Sequence, residues 1–311
     1  MSADRGPTMD ERRRALATAP CPCSSGKVTR DCHENLLRPP SEEEFFAPIE
    51  RGLDAVPHLR GLIPTGFPRS GRAKLTYQQA MCFEEIRTDR HWHHVNLPLL
   101  LHLAGNDSSV PGGRVFALEL LGLLEAFAKR FHGFPGAKRT LAPLWQQAWN
   151  AEDPCFWSVV ASCHCALKWP ADVFGFERST GKDGTSADLV LQTATGRLFV
   201  EIEIWHQPGA TSAEELEAVL RRRFEEKAQK KFPRFCAPEM GVILQFAFLD
   251  EVGLRLLHDH PELLEPVDIS VDARWVGQLI AMAEARNETG SLRRPAFLDF
   301  NTPIRSPPPP S

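Results

Sequence analysis

Three cysteines and a histidine fall within 13 residues near the N-terminus, in Pro20-Cys21-Pro22-Cys23-Ser24-Ser25-Gly26-Lys27 and then Asp31-Cys32-His33. So short a segment has almost no core to bury, so a metal held by Cys21, Cys23, Cys32 and His33 would supply most of its folding free energy. Zinc takes four nitrogen or sulfur ligands in a tetrahedron, and a set closed by four protein ligands leaves no position for a reactive water. Ser25-Gly26-Lys27 supplies the turn between the two ligand pairs, with Gly26 free to take positive φ. Reactive thiols on a disordered tail, or a disulfide, are the plainer readings of the same residues. The other cysteines, Cys82, Cys155, Cys163, Cys165 and Cys236, are scattered. In a reducing compartment such uneven placement points to metal rather than disulfides.

Length and composition bound the rest. A chain of 311 residues is expected to form two or three domains. With 42% hydrophobic and 24% charged residues it can bury a sizeable core, which excludes general disorder, collagen and coiled coil. The best apolar run, Val95 to Ala104, is broken by Pro98 and His102 and falls short of the roughly 18 to 20 residues of a membrane span. Asp4, Arg5, Asp10, Glu11 and Arg12 to Arg14 leave no apolar stretch where a signal peptide needs one. The expectation is a cytoplasmic chain with no membrane contact. A net charge of −4 excludes a uniformly basic nucleic-acid coat, so any polyanion site must be local.

The cysteine segment resembles the SEC-C motif found at the C-terminus of the protein-translocation motor SecA and fused to many other bacterial proteins. That motif reads Cys-Pro-Cys-Gly-Ser-Gly-Lys and then Cys with His or Cys; Ser24 replaces its first glycine, and all four ligand positions match. The resemblance spans residues 20 to 33 and implies a small zinc-bound interaction patch within a module over 1–38, able to dock a protein partner and doing no chemistry itself.

Pro39-Pro40 ends this module, and Ser41 followed by Glu42 to Glu44 reads as a capped helix start. Residues 41–150 read as a helical region: Phe45, Ile49, Leu53 and Val56 recur at helical spacing, as do Val115, Leu118, Leu121, Leu124, Phe127 and Phe131. His91, Trp92, His93 and His94 stand near Cys82, but adjacent histidines diverge on a helix and no second ligand pair follows, so a surface or interdomain cluster is the plainer reading. Cys163, His164 and Cys165 lie in an apolar helical pattern and read as packing.

From Asp172 the texture turns to strands. Val173 to Arg178, Asp188 to Thr193 and Leu198 to His206 read as three strands separated by turns. Ser212 to Glu215 forms a capping box for a helix with apolar Leu216, Val219, Leu220, Phe224 and Ala228. Gly241 to Phe248 is a nearly continuous apolar run suited to a central strand. From Asp153 the order is helix, three strands, helix, strand.

In the third strand Phe199, Glu201, Glu203 and Trp205 share one face. Two carboxylates about 7 Å apart in an apolar strand repel each other unless a cation lies between or beside them. Asp188 can reach the same face. Three oxygen ligands suit Mg²⁺ or Mn²⁺, which share their shell with phosphate oxygens and activate water. Between Leu216 and Arg234 the following helix carries Arg221, Arg222, Arg223, Lys227, Lys230, Lys231 and Arg234 against three acids, Glu217, Glu225 and Glu226, a basic stripe fit for phosphate contacts. The plainer reading makes Glu201 and Glu203 the wet face of an edge strand and the helix an ordinary solvated surface.

The order of elements resembles the restriction-endonuclease-like, or PD-(D/E)xK, superfamily over about residues 151 to 250. Ala187-Asp188 stands where Pro-Asp is expected, and Glu201-Ile202-Glu203 where Glu-x-Lys is expected, 13 residues later. The resemblance implies an α+β/α/β chain with an αβββαβ mixed-sheet core in a domain over 151–300, and a metal-dependent nuclease acting on nucleic acid, DNA more than RNA, in defence against foreign DNA; after it, Pro307 to Pro310 read as a disordered proline-rich tail over 301–311. Asp188, Glu201 and Glu203 would hold the magnesium. Because Glu203 replaces the motif lysine, Lys227 or Lys231 is expected to take over its role, and Arg221, Arg222, Arg223, Lys230 and Arg234 to hold the phosphate backbone. The alternative is a non-catalytic adaptor, in which the zinc module docks a protein or ribosome and the degenerate domain only binds. Glu177 is a further candidate ligand.

Overall fold

The computed structural model describes residues 42–67, 96–106, 111–146, 155–169, 173–179, 186–194, 196–206, 210–231, 240–249, 251–265, 267–269, 275–286 and 293–297, with residues 14, 18, 27 and 28 near the N-terminus. The chain divides into two compact units, Met1–Phe45 and Phe46–Ser311. The candidate zinc ligands Cys21, Cys23, Cys32 and His33, the His91 to His94 cluster with Cys82, Arg234 and the proline tail lie outside the described residues.

The second unit is a mixed α/β structure. Its helical part comprises α1 (Glu42–Asp54, which begins before the division), α2 (Pro57–Leu62), α3 (Leu97–Gly105), α4 (Pro111–Arg130), α5 (Ala137–Leu141), α6 (Pro143–Gln146) and α7 (Cys155–Lys168). No helix among the described residues is long and apolar enough to cross a membrane. Glycine sets one helix contact: a Cβ at Gly52 would lie 2.2 Å from the Leu101 carbonyl oxygen, and one at Gly105 would lie 1.9 Å from that of Pro48. Only glycines let α1 and α3 approach so closely, and the Arg51 Nε–H donates to the Gly105 carbonyl at 2.8 Å.

Three strands follow, β1 (Val173–Ser179), β2 (Ser186–Thr193) and β3 (Gly196–His206), then α8 (Ala213–Lys231), β4 (Met240–Leu249), α9 (Glu251–Asp259), β5 (Val267–Asp268), β6 (Trp275–Arg286) and β7 (Arg293–Phe297). The sheet runs β1-β2-β3-β4-β6-β5, with β7 also on β6. β1, β2 and β3 form an antiparallel meander, whereas β4 lies parallel to both β3 and β6. The alternation of helix, three strands, helix and strand read from the sequence is present. β5 to β7 extend the sheet beyond it.

The regions 41–150 and 151–300 share one core. Phe127 of α4, with Phe131 and Phe134 just beyond its end, set their rings 5.1, 5.1 and 5.9 Å from that of Phe176 on β1. Gly136, at φ +85°, sits where a Cβ would be 2.3 Å from the Phe176 carbonyl oxygen, so this corner requires glycine on two counts. On one sheet face α8 buries Leu216, Leu220, Phe224 and Ala228 against Trp205, Ile243, Ala247 and Leu279. Phe224 nests over Gly277 of β6, where a Cβ would meet its ring at 2.3 Å.

Candidate active site

α8 positions the site, and its start is fixed locally. The Ser212 hydroxyl accepts the Glu215 N–H at 3.2 Å, as a capping box requires. The Glu215 carboxylate reaches one residue further back than expected and accepts both the N–H and the hydroxyl of Thr211, at 2.9 and 3.0 Å. With the start and the apolar stripe fixed, Lys227, three residues after Phe224, falls on the flank of the buried face.

Parallel pairing of β3 with β4 sets Glu201 beside Ile243, Glu203 beside Gln245 and Trp205 beside Ala247. Because Trp205, Ile243 and Ala247 pack under α8, Glu201, Glu203 and Gln245 occupy that same face. On the other side of β3 the ladder pairs Leu189 with Val200, so Asp188, next along β2, stands opposite Glu201. Glu201 is 1% exposed and belongs to an inner strand, so it is not the wet face of an edge.

Lys227 supplies the cation that two carboxylates on one apolar strand require. Its Nζ lies 2.9 Å from Glu203 Oε1 and 3.7 Å from Glu201 Oε2. Burial pulls the Lys227 pKa down, but the charge and hydrogen bond of Glu203, and the charges of Glu201 and Asp188, outweigh it and hold the ammonium above its ordinary value. Lys227 is therefore charged at neutral pH. Asp188 Oδ2 accepts the Ile202 N–H at 2.8 Å, which ties β2 to β3 beside Glu201.

The expected gathering of Asp188, Glu201 and Glu203 round one point does not occur. Among the described residues no three His, Cys, Asp or Glu side chains come together as a metal-holding group. The ammonium of Lys227 takes up the charge of both glutamates, and Asp188 is turned onto the backbone of β3. The donors on this face are nonetheless all hard oxygens, and Mg²⁺ or Mn²⁺ commonly uses one or two carboxylates with waters and phosphate oxygens. Asp188 and Glu201, opposed on adjacent strands, are the two carboxylates that would supply such a smaller set.

The basic stripe is dispersed. Arg221 pairs with Glu217 at 3.0 Å and Arg222 with Glu226 at 4.0 Å, both exposed pairs one helical turn apart. Arg223 stacks its guanidinium 4.5 Å from the centre of the Trp205 ring, and Lys230 is exposed. The side chains of Lys231 and Glu177 lie outside the described residues. Cys163 and Cys165 are fully buried in α7, and burial raises both thiols well above their usual range, in keeping with packing.

Gln245 is the site residue that the sequence reading passed over, because it sits in a strand read as nearly continuous apolar residues. Its lone amide between Leu244 and Phe246 was the available signal. Comparison of the chain with protein-family models, curated proteins and solved structures finds no match.

Proposed function

We propose that the unit Phe46–Ser311 is a metal-dependent nuclease of restriction-endonuclease-like type, cutting phosphodiester bonds in nucleic acid, DNA more than RNA. The observation that carries this reading is Lys227: a lysine from the helix after the three-strand meander reaches the strand position where the motif lysine is replaced by Glu203. Asp188 and Glu201 would hold Mg²⁺ or Mn²⁺, which when bound makes a coordinated water acidic and offsets charge on the phosphate. Glu203 anchors Lys227, and Lys227 orients a water or meets charge developing on the phosphate. Lys230, with Arg221 and Arg222 once they exchange Glu217 and Glu226 for phosphates, would meet the nucleic-acid backbone on the exposed face of α8. Foreign-DNA defence is the setting that the resemblance suggests.

Digestion of plasmid DNA and of RNA by the full chain with Mg²⁺ or Mn²⁺ tests the proposal. Asp188→Ala, Glu201→Ala and Lys227→Ala should each lower cleavage by at least about 100-fold, the usual scale for a positioned catalytic group. Cleavage that survives the first two substitutions rejects it.

The closed pairing of Lys227 with both glutamates favours a second reading, a non-catalytic adaptor whose acidic cluster is a structural ion pair. In that case the full chain binds no Mn²⁺ at Glu201 and cuts nothing, while a protein partner is lost on Cys21→Ser. In both readings we assign zinc to Cys21, Cys23, Cys32 and His33.

A further inference from the structure

Gln245 is 0% exposed, and neither its amide nitrogen nor its amide oxygen has a hydrogen-bond partner among the described residues. A buried amide left so costs about 1 to 3 kcal/mol, which methionine, of similar length and volume, would avoid. Every neighbour that shares its face along β4 is apolar: Ile243 and Ala247 pack under α8. The amide thus does nothing for the core as it stands. It lies in register beside Glu203, whose carboxylate holds Lys227 at 2.9 Å. An unsatisfied polar group at the edge of a charged cluster is a local cost of the kind that folds carry at functional sites.

We propose that Gln245 is a positioning residue that receives the Lys227 ammonium when a divalent cation takes Glu201. A cation at Asp188 and Glu201 competes with Lys227 for the same carboxylate charge, so Lys227, which meets Glu201 by charge at 3.7 Å, must shift away from it while keeping its hydrogen bond to Glu203. An amide oxygen beside Glu203 is a neutral acceptor that lets it do so, at no added charge. This rests on the proposed cation site, but not on cleavage.

The test is Mn²⁺ titration of the full chain followed by calorimetry and by thermal unfolding, with Glu201→Gln setting the background from any other metal site. Gln245→Met should fold with stability equal to or above that of the wild type, yet bind Mn²⁺ about tenfold more weakly. Gln245→Asn, which keeps an amide on a shorter stem, should fall between them and guards against a packing artefact. Equal Mn²⁺ affinity in wild type and Gln245→Met overturns the inference, even when the wild type cleaves DNA. Affinity that depends on Gln245 in a chain that cleaves nothing keeps the inference and rejects the nuclease. A wild type that binds no Mn²⁺ above the Glu201→Gln background rejects both.

Discussion

Lys227 and Glu201 form a pair whose two halves are unequally exposed. Glu201 is wholly buried, whereas Glu203 and the lysine stem are partly open to solvent. Removing the lysine therefore leaves a buried carboxylate without its compensating charge, which costs about 3 kcal/mol, far more than losing a surface pair. Lys227→Met should lower unfolding free energy by about that amount in denaturant titration, and Glu201→Gln in the same chain should restore much of it. Additive losses would mean that the two do not interact. The acids Asp188, Glu201 and Glu203 were legible because charge in an apolar strand is conspicuous. The lysine was legible only as one of two candidates, since sequence spacing gives the helix face but not the reach of a side chain. Gln245 was not legible, because an uncharged amide barely disturbs an apolar pattern.

Among the elements, α2 has an end that its own sequence leaves uncapped. Val56 at its N-cap gives no side-chain hydrogen bond, and Pro57 occupies the first turn. Glu125 of α4 caps it from outside: its carboxylate accepts the N–H groups of His58 and Leu59 at 3.0 and 2.9 Å and meets His58 Nδ1 at 2.6 Å. Partial burial raises the Glu125 pKa, but the two backbone donors and His58 outweigh it and hold the carboxyl below 4.5. The folded chain thus binds a proton less readily than the unfolded one, so the contribution is full above pH 4.5 and fades as pH falls through the lower folded value. Glu125→Gln should cost about 1 kcal/mol at pH 7, a typical cap loss, and the gap from wild type should close in strong acid. A gap that is constant with pH would count against the carboxylate. The capping box of α8 could be read directly from Ser212 and Glu215, but a cap donated from 67 residues away along the chain leaves no local trace. β6 was missed for a related reason. Ala281-Met282-Ala283-Glu284-Ala285 has the composition of a helix, and it is strand because β4 on one side and β7 on the other offer edges to pair with.

At the scale of the whole molecule, the meander, the crossover helix and the central strand were legible from period and punctuation. The fusion of helical and strand regions into one unit was not, since it depends on contacts such as Phe131 on Phe176. The zinc assignment belongs at this scale as well, because the ligands are expected to organise the N-terminal unit as a whole. Metal analysis of the purified chain should find one tightly held zinc, lost on Cys21→Ser with little change in the melting of the larger unit. A full chain purified without zinc would discard the assignment.

The parallel pairing of β4 with β6 sets a limit on how the protein can be shortened or made. A piece that stops near residue 250 holds the helix, meander, crossover and central strand, and looks self-sufficient. It would nevertheless leave one whole side of β4 with bare amides and carbonyls beside Val242, Ile243, Leu244 and Phe246, a flat apolar margin ready to pair with another copy. The same margin is open on the ribosome until Trp275 to Ala283 have been synthesised. During that interval the nascent chain depends on shielding of β4, and a slow or truncated translation product would be expected to precipitate through that strand rather than through the acidic cluster.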